Sequence, residues 1–104
     1  MHTLYYAPGA ASMAVHWLLI ELDLPHQLHR LDLAAREHKQ PEYLALNPDG
    51  VVPTLVVDGR PLREVGALLM ILADAHPDAG LAPPHGDPRR AAYYQWMLHL
   101  ANAV

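Results

Sequence analysis

Strand-like and helix-like segments alternate at the start of the chain, and this alternation constrains the fold more than any other feature of the sequence. Residues 3–6 are β-branched, aromatic or apolar and stop at Pro8-Gly9, which predicts a short strand and a turn. The apolar run from Met13 to Leu22 predicts a helix that is buried over most of its surface and ends before Pro25. Alternation within His26–Leu33 predicts a second strand. Together these segments form a βαβ unit with parallel strands and a right-handed crossover.

The middle of the chain carries a hairpin signal. Asp58-Gly59 separates two short extended runs, Thr54–Val57 and Arg60–Arg63, and this dipeptide is strongly favoured in two-residue hairpin turns. Pro61 cannot donate to a ladder, so the second run suits an edge strand. The segment Asn47-Pro48-Asp49-Gly50 interrupts the chain before the hairpin.

Helical segments flank the hairpin on both sides. The polar stretch from Arg36 to Leu46 has helical character over residues 42–45, and a second apolar helix runs from Glu64 to about Ala75. The order is therefore β-α-β, a connecting helix, and β-β-α. This order predicts an α/β sandwich with a four-stranded mixed sheet.

A proline-rich segment divides the chain into two parts. Residues 77–88 carry four of the ten prolines and predict a linker between a compact domain at 1–76 and a helix at 89–104. Asp87-Pro88 has the pattern of an N-cap followed by proline in the first helical position. The last helix is apolar nearly all round, with one polar stripe, so we expect it to be the first helix of an all-helical domain that is otherwise absent. The polar stripe consists of Gln95, His99 and Asn102.

Composition excludes several classes of function. The chain has no cysteine, which rules out disulfides, cysteine-based metal sites and a cysteine nucleophile. Its net charge is −4 and it has no run of Lys and Arg, so neither nucleic acid nor a membrane is expected as a partner. No apolar stretch approaches the roughly 20 residues of a membrane span, and we expect a cytoplasmic protein. Eight histidines do not predict a metal site, because His26 and His29 fall on opposite faces of a strand.

Three motifs, in this order, resemble the glutathione transferase family. Leu4-Tyr5-Tyr6-Ala7-Pro8-Gly9-Ala10-Ala11-Ser12 looks most like the bacterial beta-type branch. Asn47-Pro48-Asp49-Gly50-Val51-Val52-Pro53-Thr54-Leu55 resembles the loop and cis-proline segment of the family. Leu62-Arg63-Glu64-Val65-Gly66-Ala67-Leu68-Leu69 resembles its strand-to-helix turn. The resemblance implies a thioredoxin-like, glutathione-binding domain over residues 1–76, followed by the linker and the first helix of the C-terminal domain.

The resemblance implies a glutathione site on this domain. A cis bond between Val52 and Pro53 would turn the Val52 N–H and C=O outward to pair with the cysteinyl part of glutathione. Glu64 and the backbone at Val65 would hold the γ-glutamyl end, although Val65 lacks the hydroxyl of the family's serine. Arg36 falls where the beta-type branch places a lysine that reaches the glycine carboxylate. From the residues alone, Pro53 is equally a loop proline and Glu64 a partner of the helix dipole.

The catalytic position departs from the beta-type pattern. That branch has Cys followed by Ser before the first helix, and here the pair is Ala11-Ser12, so no mixed disulfide with glutathione can form. Similarity to serine-type transferases implies that the Ser12 hydroxyl donates to the glutathione sulfur and stabilises its thiolate. The alternative is that Ser12 only caps the helix. Tyr6 is a second candidate donor, although core packing is the preferred interpretation.

Two functions remain open from the sequence. The first is a glutathione transferase that uses glutathione as co-substrate, needs no other cofactor, and conjugates its thiolate to a hydrophobic electrophile. The second is a non-catalytic binding or dimerisation module with the same fold. The apolar faces of the last helix predict a homodimer or another form of self-association.

Overall fold

The protein is described by a computed structural model over residues 1–102. Its strands and helices follow the predicted order. They are β1 (His2–Tyr6), α1 (Ser12–Glu21), β2 (His26–Arg30), α2 (Pro41–Leu44), β3 (Thr54–Val57), β4 (Arg60–Arg63), α3 (Val65–Ala75) and α4 (Arg90–Asn102). Single 3₁₀ turns occupy Glu37–Lys39 and Pro77–Ala79.

The strands form one mixed sheet in the order β2-β1-β3-β4. β1 pairs parallel with β2 and antiparallel with β3, and β3 pairs antiparallel with β4. Pro61 therefore lies on an edge strand, as its missing N–H requires. The α/β, thioredoxin-like fold predicted from the sequence, with its four-stranded mixed sheet and C-terminal helix, is confirmed.

The two faces of the sheet are covered by different helices. α1 and α3 pack on one face, where six residues form the fully buried core: Leu4, Val15, Leu19, Leu55, Leu68 and Leu72. α2 lies against the other face, with the ring of Tyr43 5.7 Å from that of Tyr5. His26 and His29 point to opposite faces, as predicted. The ring of His26 lies 5.5 Å from that of His16 on α1, and the ring of His29 lies 4.7 Å from that of Tyr5.

Helix α1 is less buried than its sequence predicts. Val15 and Leu19 are fully buried, but Trp17 is 73% exposed, and Met13 and Ile20 are more than half exposed. A helix that packs on a sheet buries only the side chains on the face it presents to that sheet. The expectation of burial over most of the α1 surface is therefore wrong for the described residues.

Strand β2 is also shorter than expected, because it ends at Arg30 rather than Leu33. The N–H of Leu31 still donates to the Tyr6 carbonyl at 2.8 Å. The next N–H, that of Asp32, donates instead to the Glu37 carboxylate at 2.6 Å. This local side-chain bond replaces the ladder and turns the chain toward α2.

Helix α4 packs on α3 through a buried arginine. Arg90 is 6% exposed, and its guanidinium donates to both carboxylate oxygens of Asp74, at 2.9 and 3.1 Å, and to the Pro83 carbonyl at 2.8 Å. The Asp87 carboxylate accepts the Arg89 N–H at 2.8 Å just before α4. The helix begins at Arg90, so Pro88 is not its first residue as the sequence predicted. The predicted end of this helix, Val104, lies outside the described residues.

Helix α4 leaves three large apolar side chains exposed. Trp96, Leu98 and Leu100 are each more than half exposed.

In the part of the chain that the structure describes, no helix has the length and apolar character to cross a membrane. No group of three or more histidine and acidic side chains among residues 1–102 is arranged to hold a metal ion.

Candidate functional site

Three chain segments from distant parts of the sequence meet at one end of the sheet. Tyr5, near the end of β1, pairs with Thr54 at the start of β3, and Thr54 pairs with Arg63 at the end of β4. The loop entering α1, the Val52-Pro53 segment and the turn entering α3 therefore lie side by side. This register brings five of the candidate site residues to the same end of the sheet: Ser12, Val52, Pro53, Glu64 and Val65.

The backbone of Val52 is available for pairing. The Val52–Pro53 peptide bond is cis. Within residues 1–102, no hydrogen bond uses the N–H or the C=O of Val52, whereas the neighbouring Val51 carbonyl accepts from both Tyr43 and Asn47. Main-chain polar groups normally find partners, so these two groups are suited to an external one.

A buried polar network supports the loop that carries Val52. Asn47 is fully buried, and its amide donates to the Val51 carbonyl at 3.0 Å and to the Thr54 hydroxyl at 3.1 Å. The Tyr43 hydroxyl lies 2.6 Å from both the Val51 carbonyl and the Thr54 hydroxyl. Burial raises the pKa of Tyr43, which keeps the phenol protonated as a donor. Arg63 joins the network by donating to the Asn47 side-chain oxygen at 3.3 Å.

The sequence patterns do not predict this network, because they place Asn47 in the loop motif and Tyr43 in a short helical segment. One signal could have found them, because residues four apart on a helical segment lie on the same face. Tyr43 and Asn47 have this spacing and a polar residue, Thr54, opens the following strand.

Glu64 has an unusual backbone conformation at the entry to α3. Its φ is 76° and its ψ is 109°, outside the regions that residues with a Cβ normally occupy. Its carbonyl accepts the Leu68 N–H at 2.9 Å and so begins the helix, while its carboxylate is exposed and makes no capping bond. An acidic side chain thus stands beside the first N–H groups of α3, which begin at Val65. Positive φ outside glycine is typical of sites where surrounding structure enforces a local geometry.

Ser12 does not cap α1, so that expectation is wrong. The N-cap position belongs to Ala11, whose backbone is helical, and Ser12 is the first residue of the helix. Its hydroxyl donates to the Ala7 carbonyl at 3.2 Å and accepts the Ala7 N–H at 3.3 Å. The side chain is fully buried. In this position Ser12 ties the loop after β1 to the start of α1.

The other two candidate side chains differ in their surroundings. Tyr6 packs against the core, with its ring 6.3 Å from that of His16, in agreement with the core-packing interpretation. Arg36 lies in the connection between β2 and α2 with φ 59°, and its side chain is exposed. Its guanidinium makes no hydrogen bond or ion pair with another described residue.

Comparison with known proteins identifies the family to which this site belongs. Residues 10–75 match the family model for the glutathione S-transferase N-terminal domain. Glutathione S-transferase GST-4.5 of Xanthomonas campestris pv. campestris is 42% identical over 94 residues, which make up 90% of this chain and 45% of that protein.

Solved structures give the same result. A glutathione transferase homologue from Sulfitobacter with bound glutathione has a TM-score of 0.88 and 44% identity, over 98% of this chain and 49% of that one. A beta-class glutathione S-transferase of Sphingomonas chungbukensis has a TM-score of 0.86 and 36% identity, over 96% of this chain and 51% of that one. The chain spans about half the length of the relatives that it matches. By sequence and by structure, the chain belongs to the glutathione S-transferase family and carries the N-terminal, thioredoxin-like domain, with similarity to bacterial beta-class members.

Proposed function

We propose that this chain binds glutathione at the end of the sheet where β1 and β4 end and β3 begins, between the Val52-Pro53 segment and the start of α3. The observation that carries the proposal is the main chain of Val52, whose N–H and C=O have no hydrogen-bond partner within residues 1–102 and so offer one donor and one acceptor. The cysteinyl residue of glutathione presents a complementary C=O and N–H. Pairing between them is a one-residue form of strand addition.

The turn at Glu64 suits the γ-glutamyl end of the ligand. That end carries an ammonium and a carboxylate on one carbon atom. The exposed Glu64 carboxylate is placed for the ammonium, and the first N–H groups of α3, at Val65 and Gly66, are placed for the carboxylate. Val65 contributes only its backbone, because its side chain has no hydroxyl.

Arg36 completes the proposed set by meeting the glycine carboxylate. Its exposed guanidinium has no described partner. Arg36 follows β2, and because β2 runs parallel to β1, the chain leaves β2 at the same end of the sheet at which β1 ends. A guanidinium pairs well with a carboxylate.

Thiol activation is the finer part of the proposal. The Ser12 hydroxyl is committed to Ala7, so donation to a glutathione sulfur requires it to leave the Ala7 carbonyl. Tyr6 is the alternative donor and is packed against the core. These contacts give weight to the second candidate, a module that binds glutathione or a protein partner without catalysing a reaction.

The full activity depends on parts that relatives carry beyond the length of this chain. We propose that residues 1–76 form the glutathione-binding domain, that 77–88 form the linker, and that 89–104 begin an all-helical domain. In a transferase of that organisation, the helical domain holds the hydrophobic electrophile and the bound thiolate attacks it. The apolar faces of α1 and α4 support homodimerisation or another self-association of the chain.

Calorimetric titration with reduced glutathione tests the binding proposal. We expect saturable heat at millimolar ligand and a several-fold weaker affinity for Glu64→Gln, with Glu21→Gln, on the exposed end of α1, as the matched control. The absence of heat at millimolar glutathione contradicts binding. Equal losses in both variants contradict the role of Glu64.

Thiol titration tests the catalytic part separately. If Ser12 or Tyr6 activates the sulfur, the pKa of bound glutathione lies below that of free glutathione and rises in Ser12→Ala or Tyr6→Phe. Unchanged values in both variants assign both residues to structure alone. Binding without turnover of 1-chloro-2,4-dinitrobenzene favours the non-catalytic module.

A further inference from the structure

A cavity of about 240 Å³ lies on the α2 face of the sheet, away from the core that α1 and α3 cover. Its walls come from β1, from β2 and the residue after it, and from the segment around α2. None of the proposed glutathione contacts lines it, namely Ser12, Arg36, Val52, Pro53, Glu64 and Val65, although Arg36 directly precedes the lining residue Glu37. The cavity is therefore distinct from the proposed glutathione site.

The floor of this cavity is apolar and aromatic. Leu31 and Tyr43 are 5% and 4% exposed, and the Tyr43 ring lies 5.7 Å from the ring of Tyr5. The Tyr43 hydroxyl belongs to the buried network at Thr54, so the side chain contributes its ring to the cavity and its oxygen to the network. Tyr5 is partly buried, and its ring together with the small exposed part of the Tyr43 ring gives the cavity an apolar, aromatic surface.

The rim of the cavity carries two carboxylates. Glu37 and Glu42 both line it, and Glu37 is held in place by the Asp32 N–H at 2.6 Å. Glu42 has no hydrogen-bond or ion-pair partner among residues 1–102. Among the described residues no lysine or arginine lines the cavity, and the one imidazole that does is that of His29, which packs against Tyr5. A negative rim above an apolar floor discriminates against anions and favours cations.

We propose that this cavity binds a small amphipathic cation, an aryl- or alkyl-ammonium whose apolar part lies on the Tyr5 and Tyr43 rings and whose ammonium faces Glu37 and Glu42. The volume decides the size of the ligand. Pockets for drug-sized ligands hold roughly 300–1,000 Å³, so this one accommodates about a single substituted ring. A ligand of that size binds with a dissociation constant on the order of millimolar.

The test is a titration of the chain, without glutathione, followed by two-dimensional NMR. The probe is benzyltrimethylammonium, and benzylsulfonate, similar in size and opposite in charge, is its control. We expect saturable shifts at Tyr5, Leu31 and Tyr43 with the cation, and binding of the sulfonate weaker by about ten-fold or more. Equal affinity for the two probes, or the absence of saturable shifts, overturns the proposal.

Two variants assign the site. Glu42→Gln removes one rim charge at an exposed position, and we expect it to weaken benzyltrimethylammonium binding by about three- to ten-fold. Glu21→Gln changes net charge equally on the far side of the molecule and is expected to leave binding unchanged. Unaltered affinity in Glu42→Gln, or shifts confined to the exposed face of α1 around Trp17, overturns the assignment. The glutathione titration is independent of this result, so either proposal can fail alone.

Discussion

The hydroxyl of Tyr43 lies 2.6 Å from the hydroxyl of Thr54, immediately behind the segment whose backbone is proposed to meet glutathione. The same phenol is 2.6 Å from the Val51 carbonyl. α2 is thereby tied to the start of β3 and to the loop before it. Because Asn47 donates to both the Val51 carbonyl and the Thr54 hydroxyl, the position of Val52 depends on two side chains that need not touch glutathione.

Removing the Tyr43 hydroxyl should loosen this loop without unfolding the domain. Tyr43→Phe keeps the ring and deletes the hydroxyl, while Asn47 still donates to the Val51 carbonyl and to the Thr54 hydroxyl. We expect the free energy of unfolding to fall by about 1–2 kcal/mol and the glutathione affinity to fall with it. Urea denaturation and calorimetry measure the two effects. Tyr5→Phe is the matched control, since the Tyr5 hydroxyl makes no hydrogen bond with a described residue, and an equal loss there contradicts the network's role.

The Ser12 hydroxyl stabilises the fold whether or not it also touches sulfur. Ser12→Ala leaves the buried Ala7 N–H without its partner, while the Ala7 carbonyl keeps the Ala10 N–H at 3.3 Å. We therefore expect a loss of about 1–3 kcal/mol in the free energy of unfolding. Ser12→Thr retains the hydroxyl but adds a methyl group in a fully buried position. If Ser12→Ala unfolds at the wild-type urea concentration, the bonds to Ala7 contribute nothing measurable.

Local sequence signals predicted much of the fold. β3 and β4 have the predicted bounds because Asp58-Gly59 fixes a two-residue turn, with φ of 50° and 83° at these residues. The end of β2 was missed because a side chain five residues further on, Glu37, takes over the N–H of Asp32. The exposure of Trp17 was missed for a different reason. An apolar helix sequence does not state which of its faces another element covers.

The candidate site is also only partly predictable from the sequence. Motifs that are local in sequence predict the placement of Val52 and Glu64 in it. They do not predict the direction of the Ser12 hydroxyl, because it depends on the helical backbone of Ala11, which leaves the oxygen pointing back to the loop. The bond between Arg63 and Asn47 joins residues sixteen apart, so only the hairpin register brings them together.

Gly66 allows α4 to approach α3 closely. A Cβ built on Gly66 would lie 3.1 Å from the Ala101 Cβ and 3.7 Å from the Met97 carbonyl oxygen. Gly66→Ala therefore raises the helix propensity of α3 but brings the new methyl group into a clash with α4. We expect faster amide hydrogen exchange in α4, and relief of the effect in the Gly66→Ala/Ala101→Gly double variant. A coupling energy of about 0.5–1 kcal/mol in this cycle is the expected result. Strictly additive energies contradict the close approach.

The charge on Asp87 should make the docking of α4 sensitive to acid. Hydrogen bonds from the Arg89 side chain and the Arg89 N–H lower the pKa of Asp87 to about 2. A carboxyl whose pKa is lower in the folded state contributes stability above its unfolded pKa, and that contribution is lost as the pH falls through the folded value. Asp87→Asn keeps an oxygen acceptor for the Arg89 N–H, removes the charge, and replaces the oxygen that accepts from the Arg89 guanidinium with an NH2 donor.

Thermal unfolding of the two proteins should therefore differ at pH 6 and converge between about pH 4 and pH 2. The wild-type protein also loses stability in this range through Asp58 and Asp74, whose pKa values are lowered by the N-terminal ammonium and by Arg90. The variant retains both of these groups, so the difference between the two melting temperatures reports Asp87 alone. Since the Arg89–Asp87 pair is near the surface, added salt should narrow the difference at pH 6. A difference that is the same at pH 6 and pH 2 contradicts an ionic role for Asp87.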